Sequence, residues 1–366
     1  MNVHGRKNIM AKVTDKIRIN RFELKNRMTM APTVKFDLAG PDGILSDEHV
    51  AHYSERAAHG IALLCVEATA VTPDGRFDER HIGLWDDSQI EKHKLVTEAC
   101  HSNDVVSLIQ LNHTGIGTNP AVGRPIGPSS VPCRSGMSEE MSVDEIHRMQ
   151  EMYIAAAVRA QKAGYDGIQL HGCHGYLINQ FACRKTNLRT DEYGGPVRNM
   201  ARFGCEIIEG IREVCGAGFL ISVRTVGADP DLATASEIAE EYVRSGCDYL
   251  QVSSGIEEPD PSLAVPGAPF NLICSLGVRF HDLFKGRVPV SCVNGILDPE
   301  LVRYLIENDL TDTVDLARAM LADPAFPEAV LEGKDFVRCF ECRACQFGPR
   351  TAHVCPAGIK RAQRAK

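Results

Sequence analysis

Four cysteines near the C-terminal end, Cys339, Cys342, Cys345 and Cys355, spell CxxCxxC, nine further residues, and a last cysteine followed by Pro356. Two-residue gaps let three thiolates converge on one compact centre. A distant fourth completes the coordination, and a terminal Cys-Pro recurs in bacterial iron–sulfur motifs. Zinc more often takes its ligands as two separated CxxC pairs. The spacing favours a 4Fe-4S cluster and leaves structural zinc and redox-active or free thiols as the other readings. The other ten of the fourteen cysteines are scattered singly, as at Cys65, Cys205 and Cys292. They read as buried, reduced thiols.

A second group is His171-Gly172-Cys173-His174-Gly175-Tyr176. Two imidazoles three residues apart can aim at one point if a helical turn begins there, with a phenol beside them. That set suits a carbonyl oxygen held by two donors with an acid close by. The plainer alternative is a pair of satisfied loop histidines and a core tyrosine. A zinc site on HxxH lacks an apparent third ligand and the usual glutamate. Further along, Val293-Asn294-Gly295 and Ala317-Arg318 end two apolar runs, where backbone amides and an arginine form the usual phosphate site of barrel folds. Arg224 also ends an apolar run, and Gln110 lies inside one. Each is a polar group that needs a partner. No lysine lies between Lys185 and Lys285, which disfavours a Schiff-base aldolase. Glu67 alone offers a carboxylate at a strand end, which disfavours a divalent-metal barrel.

Positioning these groups requires a scaffold. Short β-rich runs recur at 28–31, 62–66, 105–111, 167–170, 219–223, 249–252, 288–293 and 313–316. Most are apolar along their length, as strands covered on both faces should be. Helical patterns separate them, including 142–163, with a capping-box spacing at Ser142 and Glu145, and 236–245. The alternation predicts an α/β fold, a (β/α)8 TIM barrel that closes near Leu331, with a short cysteine-rich extension. The expected division is a barrel over 1–333 and a cluster-binding tail over 334–366. Long connections at 113–141 and 172–195 follow strands and belong at the mouth. The net charge of −8 and the lack of a basic block argue against nucleic acid. No apolar stretch is long enough to span a membrane and the N-terminus lacks a secretory pattern. A cytoplasmic protein is expected.

These residues resemble the old yellow enzyme (NADH:flavin oxidoreductase) family from about residue 12 to 333. The resemblance is carried by Leu24 to Met28 with Met30-Ala31-Pro32, by Val66 to Val71 with Pro73 to Arg76, by HGCHGYLINQF from His171, and by NLRTDEYGG from Asn187 with Arg198-Asn199 and Arg202-Phe203. The Ala-Arg pair and the cysteine tail are similar to the branch containing 2,4-dienoyl-CoA reductase and trimethylamine dehydrogenase. That branch commonly adds nucleotide-binding domains after the cluster, and none is expected before the last residue, Lys366.

The resemblance implies that Ala31, Pro32, Thr33, Ala68, Gln110 and Arg224 surround the isoalloxazine of FMN. Asn294, Gly295, Ala317 and Arg318 would hold its phosphate, and the four tail cysteines a 4Fe-4S cluster. His171 and His174 match the pair that binds a substrate carbonyl, and Tyr176 the proton donor. Val34 and Ile116 depart from the residues common at their positions. The implied activity is reduction of an activated C=C bond in an α,β-unsaturated carbonyl compound. Electrons would come from NAD(P)H, or through the cluster from a ferredoxin or flavoprotein subunit. A homo-oligomer is expected. Oxidative amine demethylation and a purely electron-transferring subunit are the alternatives, although Trp85 is the only tryptophan available to an aromatic cage for a cationic amine.

Overall fold

Apolar runs of this kind must be shielded on their outer face by helices. In the computed structural model, which describes residues 11–342, 345 and 355–364, eight parallel strands do this by closing on themselves. They are β1 (Met28–Met30), β2 (Leu63–Ala70), β3 (Val106–Asn112), β4 (Gly167–Gly172), β5 (Leu220–Val226), β6 (Tyr249–Ser253), β7 (Val290–Val293) and β8 (Thr313–Leu316). Each pairs with its sequence neighbours, and β8 returns to β1 with Asp315 opposite Thr29. The expected (β/α)8 barrel is therefore present. β2 and β5 run on past their expected ends to Ala70 and Val226, which carries their polar ends into the mouth.

The strands are less uniform than their composition suggests. Alternation puts every second side chain inside, and the outward set, including Ile168, Ile221, Val223, Leu250, Val252 and Val314, joins the large core under the helices. At the bottom, Leu63, Cys65, Leu108, Leu220 and Tyr249 pack on the hairpin Ile17–Ile19 and Phe22–Leu24, which plugs the barrel. Above them the inward row is polar: Thr29, Gln110, Gln169, Ser222, Gln251, Ser291, Thr313 and Asp315 are all buried. Barrel interiors are usually filled by Val, Ile and Leu. Here side chains bridge the strands instead. Gln110 Nε2 donates to Gln169 Oε1 at 2.8 Å, and Gln169 Nε2 to Ser222 Oγ at 3.2 Å. Tyr249 and Thr313 share a bond of 2.7 Å.

Helix Val143–Lys162 matches the expectation of 142–163. Ser142 Oγ accepts from Glu145 N at 3.2 Å while Glu145 Oε2 accepts from Ser142 N at 2.8 Å. Helix Leu232–Arg244 begins four residues before the expected 236, because Asp231 caps it by accepting from Thr234 N at 2.7 Å. The connection after β3 contains two small strand pairs, and the one after β4 contains helix Leu177–Ala182. Helix Phe326–Glu332 ends on Gly333 at φ +72°, near the expected close. In the tail, 343, 344, 346–354, 365 and 366 lie outside the described residues, as do 1–10 at the other end. Helix Pro356–Arg364 returns to the barrel, with Ala357 against Ala322 and Val337. Among the described residues no helix is long and apolar enough to cross a membrane.

The loop after β4 is pinned by Asn187, which is buried and donates to Phe181 O and Tyr193 O, each at 2.7 Å. Asn187→Ala strands two carbonyls, so a loss of roughly 2–4 kcal/mol in urea unfolding is expected. A change below about 0.5 kcal/mol would show that water replaces the amide.

Candidate functional site

His171 stands at the end of β4 beside Arg224 of β5. The chain then turns sharply, with His174 at φ +58° and Gly175 at φ +77°, and this left-handed turn brings the second imidazole back over the first. His171 Nε2 and His174 Nδ1 lie 3.1 Å apart, and His174 Nε2 meets Ser253 Oγ of β6 at 2.8 Å. The Tyr176 ring sits 4.6 Å from that of His171 and 5.1 Å from that of Phe77. Its hydroxyl makes no hydrogen bond among the described residues. Burial, followed by His174, Arg224 and His81, holds His171 well below the ordinary histidine range. Burial, followed by Cys173, pushes the Tyr176 phenol up to about 12. Both groups are therefore neutral near pH 7, an imidazole donor beside an intact acid.

The structure adds residues that the sequence did not single out. His81 stacks on Phe77 at 4.4 Å between centroids and reaches Ala68 O at 2.5 Å through Nε2. Phe77 directly follows the Pro73 to Arg76 block, the one available hint. Ser253 gave no signal beyond its place at a strand end. Cys173 supplies the third donor that an HxxH zinc site appeared to lack: its Sγ and the two imidazoles lie within 4.8 Å of one another. Burial pushes that thiol up to about 12, so binding a metal there would require removing a tightly held proton.

Several expected residues surround the same mouth. Arg224 is buried, its Nε has no partner, and it forms no ion pair among the described residues. Gln110, expected to await a partner, already has one in Gln169. Ala31 and Ala68 are fully buried at the ends of β1 and within β2, while Pro32 and Thr33 are partly covered, Thr33 Oγ1 donating to Ala31 O at 3.2 Å. Asn294 and Gly295 follow β7 at φ +81° and +74°, and a Cβ on Gly295 would lie 2.6 Å from Asn271 Nδ2. Ala317 and Arg318 follow the neighbouring β8. Glu67 takes no part in the mouth. A register shift between Val66 and Ala68 turns it away, and it accepts from Lys35 N at 2.6 Å and Tyr53 OH at 2.9 Å, with burial raising it to about 8. Trp85 packs over Gly43 and Gly83 under Arg76.

Residues 15–251 match the model of the NADH:flavin oxidoreductase / NADH oxidase family. The chain belongs to that family. It is 33% identical over 346 residues to an NADH oxidase of Thermoanaerobacter brockii, covering 91% of this chain and 53% of that protein. It is also 33% identical to an NADPH dehydrogenase of Clostridium acetobutylicum, covering 86% of this chain and 93% of the relative. A structure of 2-naphthoyl-CoA reductase in complex with 2-naphthoyl-CoA superposes with a TM-score of 0.83 at 25% identity, over 91% of this chain and 54% of that one. The chain thus spans about half the length of two of these relatives.

The chain belongs to a family of flavin oxidoreductases, and its mouth fits a polar, anionic cofactor. Among the described residues the buried guanidinium of Arg224 forms no ion pair, His171 Nδ1 and both amide atoms of Gln251 are buried without hydrogen-bond partners, and Gly295 leaves space where a side chain would not fit. In the tail, Glu341 N donates to Cys339 Sγ at 3.5 Å, and Asp323 anchors the segment by accepting from Val337 N at 2.8 Å. Cys345 has Cys339, Arg318 and Cys355 near it: burial and then the two thiols raise it, while Arg318 opposes them. Cys339 and Cys355 thus lie within electrostatic range of Cys345, as does Arg318.

His171 should stay uncharged from about pH 5 to 8, as read from the 15N shifts of its ring. An imidazolium signature inside that window would contradict the buried, neutral pair.

Proposed function

We propose that this chain is an FMN-dependent ene-reductase that reduces the activated C=C bond of an enone, enoate or enoyl thioester. The observation that carries it is the pair of ring nitrogens of His171 and His174, 3.1 Å apart, with the unbonded phenol of Tyr176 alongside. Two donors that close together can both address one carbonyl oxygen. FMN, when bound and reduced, supplies hydride for the β-carbon.

The protein's own groups do the rest. With Ser253 donating to His174 Nε2, the His174 proton sits on Nδ1, and in the complex that nitrogen and His171 Nε2 would each give their hydrogen bond to the oxygen in place of the contact between them. His171, kept neutral by burial, donates from Nε2. As negative charge develops on the oxygen these two hydrogen bonds strengthen, and Tyr176 delivers its proton to the α-carbon. Arg224 would favour an anionic reduced ring. Ala31, Pro32, Thr33, Ala68 and Gln110 would flank the ring, and Asn294, Gly295, Ala317 and Arg318 would hold the phosphate. On this reading residues 1–333 carry the flavin. Residues 334–366 carry a 4Fe-4S cluster on Cys339, Cys342, Cys345 and Cys355. The reductase found among the structural relatives with an acyl-CoA bound supports a thioester as one acceptable carbonyl. NAD(P)H is the proposed donor, and a ferredoxin or flavoprotein subunit the proposed partner of the cluster, in a cytoplasmic homo-oligomer.

His171→Ala combined with His174→Ala should slow anaerobic reduction of 2-cyclohexenone by about a hundredfold or more with FMN still bound. Tyr176→Phe should slow it by about a hundred to ten thousandfold. Unimpaired turnover in the double variant would remove the carbonyl clamp. Cys342→Ala should lower bound iron and sulfide to a residual level and leave FMN at full occupancy. Zinc in place of iron in protein isolated without oxygen would refute the cluster. Full reduction of the flavin by NADH alone within one turnover would make a protein donor unnecessary.

A further inference from the structure

One buried acid of the barrel has no part in the chemistry above. Asp315 lies on the inward row of β8 and is 1% exposed. Its Oδ1 accepts from Thr29 Oγ1 at 2.5 Å, while Oδ2 has no hydrogen-bond partner among the described residues. A carboxylate in such a place needs compensating positive charge. Arg224 is the cation that the barrel register brings near: it stands level with Gln251, Gln251 with Ser291 and Ser291 with Thr313, one inward position before Asp315 on its strand, and its charge opposes the rise in the Asp315 pKa. Between the two strands that carry them, Gln251 stands opposite Arg224 in register, with both amide atoms buried and partnerless. Guanidinium, amide and carboxylate therefore all carry unsatisfied polar atoms in one interior region.

The other groups packed around this region leave Asp315 and Arg224 as its charges. Tyr249 of β6 and Cys65 of β2 feel Asp315, but burial raises both above their ordinary ranges and keeps them protonated. β1 contributes Thr29, β3 and β4 contribute Gln110 and Gln169, and β7 contributes Ser291, none of which titrates. His171 and His174, on the far side of Arg224, make the hydrogen bonds described above.

We propose that Asp315 is a positioning residue for the flavin chemistry: its carboxylate offsets Arg224 from inside the barrel, so its ionisation sets how strongly Arg224 favours the anionic, two-electron-reduced ring. The proposal rests on the reading of the mouth as an FMN site. When Asp315 is ionised, part of the arginine field is cancelled and reduction is less favoured. When it takes one proton from solvent, with no other bond changed, the full field reaches the ring. Coupling of this kind is reciprocal, so charging the ring raises the affinity of Asp315 for its proton by the same factor. Burial lifts this carboxyl to about 6, against Arg224 and the Thr29 hydrogen bond, which puts the switch within an accessible pH range.

The test is the FMN midpoint potential of the loaded protein, measured anaerobically against reference dyes from about pH 5 to 8. Asp315→Asn should be easier to reduce than wild type above about pH 7, by roughly tenfold in the oxidised-to-reduced ratio, or about 30 mV for a two-electron couple. The two curves should converge below about pH 5, where the wild-type acid is protonated. Thr29→Val keeps the carboxyl but removes a bond to its charged form, so its bend should move to higher pH. A loss of packing alone would shift the melting temperature and leave the bend in place. Loaded wild type and Asp315→Asn with coincident curves at every pH would overturn the role of Asp315 alone. Should Asp315→Asn fail to fold, a Thr29→Val bend unmoved from wild type overturns it equally. Wild-type protein that takes up no FMN overturns the reading of the mouth, and this inference with it.

Discussion

Desolvation inside a closed barrel governs the chemistry of this protein. The inner row from Thr29 to Asp315 is buried, so each polar group there is either bonded to another side chain or left at a cost. Bonded groups, such as Gln110 with Gln169 and Ser222, tie neighbouring strands together and stiffen the floor of the mouth. Unbonded ones, Arg224 Nε and the Gln251 amide, are poised toward whatever occupies the region above. The same desolvation keeps His171 uncharged and Tyr176 protonated. A phenolate could not act as an acid, so the protonated form is the one with a proton to give.

The mouth is held by connections that cross between strands. Asp229, fully buried after β5, accepts from Asn179 Nδ2 at 3.1 Å, Ile256 N at 2.9 Å and the Cys183 thiol at 3.2 Å. It thereby joins the turn after β4 to the loop after β6, the two segments that carry His174 and follow Ser253. Gln180 plays the same part toward β3, accepting from Ile116 N and donating to Thr114 O. Positioned polar groups need this kind of support, because a shift of an ångström is enough to spoil their mutual geometry.

The tail is built on a different electrostatic plan. Arg361 reaches Glu55 at 2.9 Å and Arg56 Nε donates to Met320 O at 3.1 Å, so the returning helix is attached to the barrel wall beside β8. Lys35, Arg56 and Arg318 lie close enough for their charges to act on Cys355 or Cys345. Arg318 belongs both to this group and to the end of β8, so the tail and the mouth share a wall.

Much of the barrel was legible in the sequence. Eight apolar runs separated by helical patterns specify a closed parallel sheet because such strands must be covered on both faces, and the motif at His171 marked the mouth because glycine-flanked polar residues do not continue a strand. The histidine pair was legible in its residue types but not in its geometry. That two imidazoles meet depends on a left-handed turn at His174 and on Ser253, 79 positions away. Strand ends were underestimated at β2 and β5, where polar residues that look like loop are hydrogen-bonded into the sheet. That the inward polar residues of β5 and β8, Arg224 and Asp315 among them, share one interior was decided by tertiary structure alone. Sequence spacing tells which side of a strand a residue takes, whereas the charges it meets there belong to strands that only closure of the barrel brings together.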